Sequence, residues 1–232
     1  MKLNNVDIKK YNAKQMKVEF QPASRTTSAE WNSSQKLPKE FETEVGFITL
    51  KVTVYFKGTN RTQVKRNIDE FLSLITGGTE IELDKYKGTY KGYLKSDPTV
   101  TATKEINKKI VTLEFKGYMY DDEIVLTVKG TKAETVNLVG AREAACIIEV
   151  FAKEKVSNVV ISGFGNDEII IESMTKGETI IIDGVNGKVT SQDENAFNRV
   201  DIWEFPYIKR KVLVSVENAT VDLTIRYNPL WS

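Results

Sequence analysis

Few side chains of this 232-residue chain are of a type and spacing suited to chemistry, and most of those read as structure. Histidine is absent, which removes the group best suited to general acid–base work near neutral pH and the commonest metal ligand. His-dependent triads and His-ligated zinc sites are thereby excluded. The single cysteine, Cys146, lies in the apolar run Ala144-Ala145-Cys146-Ile147-Ile148 and reads as a small core residue rather than a nucleophile. Asp121-Asp122-Glu123 offers three carboxylates in a row, but neighbours along a strand alternate faces and cannot converge on one cation without a turn, so the triplet reads as a linker. Asp167-Glu168 has the residue types for acid–base work, yet nothing places the pair in a cleft, and a solvated turn is the reading. Gly163-Phe164-Gly165 lacks the third glycine and the strand-to-helix context of a nucleotide loop and is another turn. Trp203, flanked by Glu204 and Arg199, is the weak candidate for a glycan or partner contact. Trp203, Phe205 and Trp231 each lie within or beside an apolar strand pattern, which predicts core packing. The expectation is a chain with no catalytic residue, no cofactor and no metal.

Net charge is +1, so nothing global calls for nucleic acid or an anionic membrane. The two halves differ in sign: Met1 to Tyr120 holds 21 Lys+Arg against 14 Asp+Glu, net +7, and the remainder holds 12 against 18, net −6. No charged leader with an apolar core opens the sequence, and no apolar run approaches the roughly 20 residues needed to span a bilayer. A soluble product of a reducing cytosol is expected, so the sequons at Asn32, Asn60 and Asn218 are read as chance.

The elements that would position any site are short strands and one helix. Ile48, Leu50, Val52, Val54 and Phe56 alternate with Phe47, Thr49, Lys51, Thr53 and Tyr55, the pattern of a half-buried strand. Val64, Ile68, Phe71, Leu72 and Ile75 then fall on one helical stripe. Asn60 with Gln63 forms a capping box and Gly77-Gly78 supplies a stop, which predicts a helix over about 61–76. Strands follow near 81–83, 89–94 and 110–115, with a polar, basic loop or hairpin tip at 96–109 that contains Lys104, Lys108 and Lys109. Beyond the acidic triplet, apolar segments recur about every ten residues between Gly, Asn and Asp turns, including Asp183-Gly184 and Asn186-Gly187, where residues of positive φ are expected. That spacing predicts a β-sandwich of jelly-roll or galectin-like kind. The fold class is therefore mainly β with one α-helix, in two domains, 1–122 and 123–232.

Several stretches, taken in order, resemble the distal tail protein family of long-tailed, non-contractile bacteriophages. They are Leu3-Asn4-Asn5-Val6-Asp7-Ile8; Tyr55-Phe56-Lys57-Gly58-Thr59-Asn60-Arg61; Thr179-Ile180-Ile181-Ile182-Asp183-Gly184 with Asn186-Gly187-Lys188-Val189; Trp203-Glu204-Phe205-Pro206-Tyr207-Ile208; and Arg226-Tyr227-Asn228-Pro229-Leu230-Trp231. The set spans nearly the whole chain and is weaker in the first half. Asn5 stands where the family often has Gly, a mild change because Asn tolerates the left-handed region. Lys209-Arg210-Lys211 replaces a Pro-Gly-Asn turn, and that basic triplet is open to reading as an interface patch or a solvated loop.

The resemblance implies a non-enzymatic tail-tip hub located in the virion and made in the bacterial host cytoplasm. Its first domains would close a homo-hexameric ring, a barrel or sandwich with a helix, around a channel that DNA traverses without specific binding. Its galectin-like second domains would dock adhesion or receptor-binding proteins, and the ring would join the tail tube. The face with Phe47, Thr49, Lys51, Thr53 and Tyr55 carries two aromatics more than a plain solvent face and is the candidate contact with another protomer or the tube. A second β layer of the same domain folding over it is the other reading. The excess positive charge of the first domain, including Lys104, Lys108 and Lys109, is expected to lie outside the channel, since each phosphate contact has to be released as DNA moves. A carbohydrate-binding module for a bacterial wall polymer is the alternative, with Trp203, Glu204 and Arg199 as its contacts.

Overall fold

The computed structural model describes residues 1–30, 39–130, 133–165, 167–209, 211–218 and 220–231. The chain forms two compact units, Met1–Tyr120 and Asp121–Trp231. The sequon at Asn32 lies outside the described residues, as does Arg210 of the basic triplet.

Strands of the first unit are β1 (Lys2–Leu3), β2 (Val6–Asp7), β3 (Ala13–Gln21), β4 (Arg25–Glu30), β5 (Lys39–Val45), β6 (Ile48–Lys57), β7 (Thr79–Glu82), β8 (Thr89–Leu94), β9 (Thr99–Ala102) and β10 (Lys108–Tyr120), with helix α1 (Arg61–Leu72) after β6. One antiparallel sheet runs β2-β1-β7-β8-β10-β6-β3, with β9 also on β10; β4 and β5 pair with each other as a separate ribbon. The basic 96–109 segment is thus a hairpin whose first arm is β9.

Alternation along β6 decides which face is buried. Ile48, Leu50, Val52, Val54 and Phe56 all point inward and are buried. They meet Val64, Ile68 and Phe71 of α1, where the Phe71 ring packs edge-on against Phe56 at 5.1 Å. Each such buried side chain contributes about 1.5–3 kcal/mol. The Asn60 carbonyl oxygen of its side chain accepts the Gln63 N–H at 2.9 Å, and Gln63 Oε1 accepts the Thr59 N–H at 2.7 Å, so the two close the helix start reciprocally. The α-helix ends at Leu72, four residues before the predicted end at 76. There the Ser73 hydroxyl donates to the Glu70 carbonyl, and Leu74 and Ile75 bond three residues back, so the path continues as tighter turns.

The second unit is a two-sheet sandwich built from β11 (Ile124–Lys129), β12 (Glu134–Asn137), β13 (Ala144–Ala152), β14 (Val156–Ser162), β15 (Ile169–Met174), β16 (Thr179–Asp183), β17 (Lys188–Ser191), β18 (Glu194–Asn195), β19 (Val200–Asp201), β20 (Tyr207–Ile208), β21 (Lys211–Val216) and β22 (Val221–Tyr227). One sheet runs β11-β22-β13-β16-β17-β18 with β20 on β13; the other runs β12-β21-β14-β15-β19. Ile148, Val150, Ile182 and Leu223 of the first share a core with Val159, Ile161, Ile171 and Val214 of the second.

Asn5 adopts φ +65° as the resemblance requires, and Gly187 also has positive φ, but Gly184 does not. Gly184 is needed for space instead: a Cβ there would stand 2.2 Å from the Pro206 carbonyl oxygen and 2.7 Å from that of Cys146. Cys146 is fully buried in β13, and burial pushes its thiol up to about 12. Aromatic disulfide reagents at pH 8 are therefore expected to leave native protein untouched and to label one thiol per chain on unfolding in urea; fast labelling of the folded chain would refute the assignment.

Candidate functional site

Because β6 lies between β3 and β10, each residue of the predicted contact face has a neighbour on either side. Thr49 stands opposite Gln21 and Lys116, Lys51 opposite Glu19 and Glu114, Thr53 opposite Lys17 and Thr112, and Tyr55 opposite Lys14 and Ile110. The Glu19-Lys51-Glu114 row alternates in sign, and its acids are paired further by Lys17 and by Lys95, the latter at 2.5 Å. Lys17, and beyond it Lys51, hold the Glu19 carboxyl below the usual range. This stretch satisfies itself electrostatically and is poor material for the centre of an interface.

The end of the face differs. Phe47 precedes β6 and is 51% exposed, with Lys116 Nζ 5.6 Å from its ring centroid. Across β10 and β8, Lys116 pairs with Tyr93, itself 62% exposed. Two solvent-exposed aromatics thus flank one lysine, a composition typical of contact surfaces. Sequence reading found Phe47 but missed Tyr93, whose position relative to Phe47 depends on strand register. Tyr55 is half-buried, and the Lys108 ammonium is held above its ordinary range first by Glu105 and also by Tyr55.

Beside this face, β3 is the last strand of the sheet order, so its outer edge pairs with no other strand among the described residues. Met16 forms a bulge between Gln15 and Lys17 in its register with β6. On the far side, α1 and the β9–β10 hairpin enclose an open groove of about 770 Å³ that includes Arg61, Lys104 and Lys109, with Val100 and Ile106 on its wall. Lys108 is paired with Glu105 at the hairpin tip.

In the second unit, core packing fails for Trp203, which is 85% exposed. The short β19 ends at Asp201; Ile202 and Phe205 then turn in to pack on the core, which leaves Trp203 and Glu204 on an outward bend. Trp231 is 38% exposed and donates its indole N–H to Asp121 Oδ2 at 2.9 Å. Phe205 packs as predicted. Arg199 is committed elsewhere: its Nη1 donates to Glu178 Oε1 and its Nη2 to the Ser173 carbonyl, both at 2.6 Å. Glu204 accepts from the Tyr207 hydroxyl at 3.4 Å. Arg199 and Glu204 of the predicted glycan set thus each have hydrogen-bond partners within the chain, while Trp203 stands exposed. Among the described residues no group of three or more Asp, Glu or Cys is arranged to hold a metal, and no helix is long and apolar enough to cross a membrane.

No protein-family model matches the sequence, and no curated protein matches it. Solved structures do. The Dit protein of phage SPP1, a hub of the adsorption apparatus of phages infecting Gram-positive bacteria, superposes with a TM-score of 0.78 at 12% identity, covering 99% of this chain and 98% of that one. A chain of the phage P2 baseplate in its activated conformation with calcium matches at a TM-score of 0.51 and 10% identity, covering 95% and 92%. At these identities the likeness establishes the fold along both units: mainly β, with one α-helix among the described residues, in the first unit.

Proposed function

We propose that this chain is a structural, non-enzymatic tail-tip hub protein of a long-tailed, non-contractile phage. Six copies close a ring through their first units; the ring joins the tail tube to adhesion or receptor-binding proteins and leaves a channel for DNA. The observation that carries this reading is the likeness to the SPP1 hub along the full length of both chains, at the place where the ordered sequence stretches also resemble distal tail proteins. Its site of action is the virion, after synthesis in the host cytoplasm.

A ring repeats one heterologous interface by rotation. The open edge of β3 and the Phe47-Lys116-Tyr93 patch at the end of the same face are the surfaces best suited to it. The self-paired row of charges on that face contributes complementarity rather than affinity. Lys104 and Lys109, in the groove against α1, are assigned to a surface away from DNA. The acidic second unit faces a different neighbour, as its net −6 against the first unit's +7 indicates.

Native mass spectrometry of the purified chain is expected to give a particle of six times 26.2 kDa. Replacing Phe47 and Tyr55 together with Glu is expected to abolish that particle while moving the thermal midpoint by less than about 4 °C, because Phe47 is exposed and Tyr55 half-buried. A double variant that stays hexameric at unchanged stability removes this face from the ring. A parent chain that stays monomeric both alone and with the tail tube protein removes the hub reading.

A further inference from the structure

At the β17–β18 edge of the second unit lies a concavity of about 390 Å³, with Phe197 as one wall and Lys188, Thr190, Asp193 and Asn195 around it. We propose that this is a saccharide-binding site in which the Phe197 ring is the stacking wall and Asp193, Asn195 and Lys188 read hydroxyl groups. The inference is independent of the hub reading, and Trp203 is not among the residues lining the concavity.

The wall is built rather than incidental. Phe197 is 48% exposed, yet its ring is backed by Phe205 at a centroid distance of 6.3 Å, and Phe205 rests on the core. A pyranose has an apolar C–H face and a rim of hydroxyls, so a held aromatic ring bordered by polar groups is its complement. The rim has capacity to spare: the side chains of Lys188, Thr190 and Asp193 make no hydrogen bond or ion pair among the described residues. Asn195 Oδ1 accepts the Phe197 N–H at 3.0 Å, which orients the amide and leaves its NH2 to donate. Lys188 and Asp193 carry opposite charges, so the rim suits an uncharged sugar better than a phosphate-bearing polymer.

The turn carrying Asp193 is strained. Ser191 pairs with Glu194, so Gln192 and Asp193 are the two central residues of the hairpin, with φ of +50° and +66°. That geometry favours Asn-Gly. Among the described residues a second hairpin of this kind, between β1 and β2, uses Asn4-Asn5 at φ +45° and +65°. At position 193 a carboxylate stands where glycine would relax the backbone, and it borders the concavity, a pattern common where strain serves binding.

Saturation-transfer NMR on the intact chain, with glucose, galactose, rhamnose, N-acetylglucosamine and N-acetylgalactosamine each to about 50 mM, covers shallow sites with Kd near 1 mM. At least one sugar is expected to saturate. Phe197→Ala is expected to weaken that binding about tenfold or more. Asp193→Gly is expected to weaken it similarly while raising the thermal midpoint by about 3 °C, a combination that a merely structural Asp193 does not give. Failure of all five sugars to saturate overturns the proposal. So does binding that survives both variants, or binding that Trp203→Ala alone removes.

Discussion

Replacing Gly117 with alanine is expected to destabilise the protein by about 3–5 kcal/mol, the range of a core forced open at backbone. Gly117 is buried in β10 between Ile48 of β6 and Gly92 of β8. A Cβ there would lie 2.0 Å from the Lys91 carbonyl oxygen and 2.5 Å from the Gly92 Cα. Both are backbone atoms of the adjoining strand, so no rotamer change relieves the clash. Gly92 is equally confined, because its own Cβ would lie 2.5 Å from Cε1 of Tyr90. The Tyr90 ring is fully buried and its hydroxyl donates to the Ile48 carbonyl at 2.9 Å. The facing glycines let β8 close on β10 while Tyr90 fills the space beside them. Gly177→Ala is the control: φ there is +80° but nothing lies within 4 Å, so about 1 kcal/mol is expected from conformation alone. Urea unfolding of the two variants separates the causes, and equal losses would sink the steric explanation.

Glu178→Gln is expected to cost about 3 kcal/mol at pH 7 and close to nothing at pH 2. Only 7% of the Glu178 side chain is exposed. Its carboxylate accepts from Arg199 at 2.6 Å, from the Ser191 hydroxyl at 2.7 Å, and from the N–H and hydroxyl of Thr175 at 2.8 and 3.0 Å. Arg199, and then these donors, draw its carboxyl from the ordinary 4.5 to about 2, against the opposing effect of burial. A carboxyl depressed on folding stabilises the native state fully above its unfolded pKa, and that stability is lost as pH falls through the folded one. The window is therefore pH 4.5 to 2, and a depression from 4.5 to about 2 corresponds to about 3 kcal/mol. The amide keeps the shape but loses charge-assisted bonds and leaves Arg199 without its partner. Urea midpoints at pH 7, 4.5 and 2 measure the difference; a gap between parent and variant that does not shrink toward pH 2 excludes the ion pair as its source.

Much of the fold was legible because alternation and helical spacing are local. The β6 pattern, the Asn60–Gln63 cap and the strands of the sandwich follow from side chains a few residues apart. Strand β3 was hidden for a local reason of its own: the Met16 bulge shifts the phase halfway along, so Ala13 and Gln15 alternate in one register and Val18 and Phe20 in the other. Trp203 misled because flanking Ile202 and Phe205 are core residues, and a bend rather than a strand decides where a residue between them points.

The sequence by itself determined what this protein lacks and how it is layered. Without histidine, His-dependent triads and His-ligated metal sites are excluded, and periodic apolar residues dictate sheets with one helix. Only the tertiary structure decided which exposed groups stand together. Tyr93 joins Phe47 across two strand registers, Arg199 leaves Trp203 for Glu178, and Phe197 comes to rest on Phe205 beside Asp193. Burial is written into each segment by its own hydrophobicity, whereas surface neighbours depend on pairings between segments far apart in the chain, which local spacing does not encode.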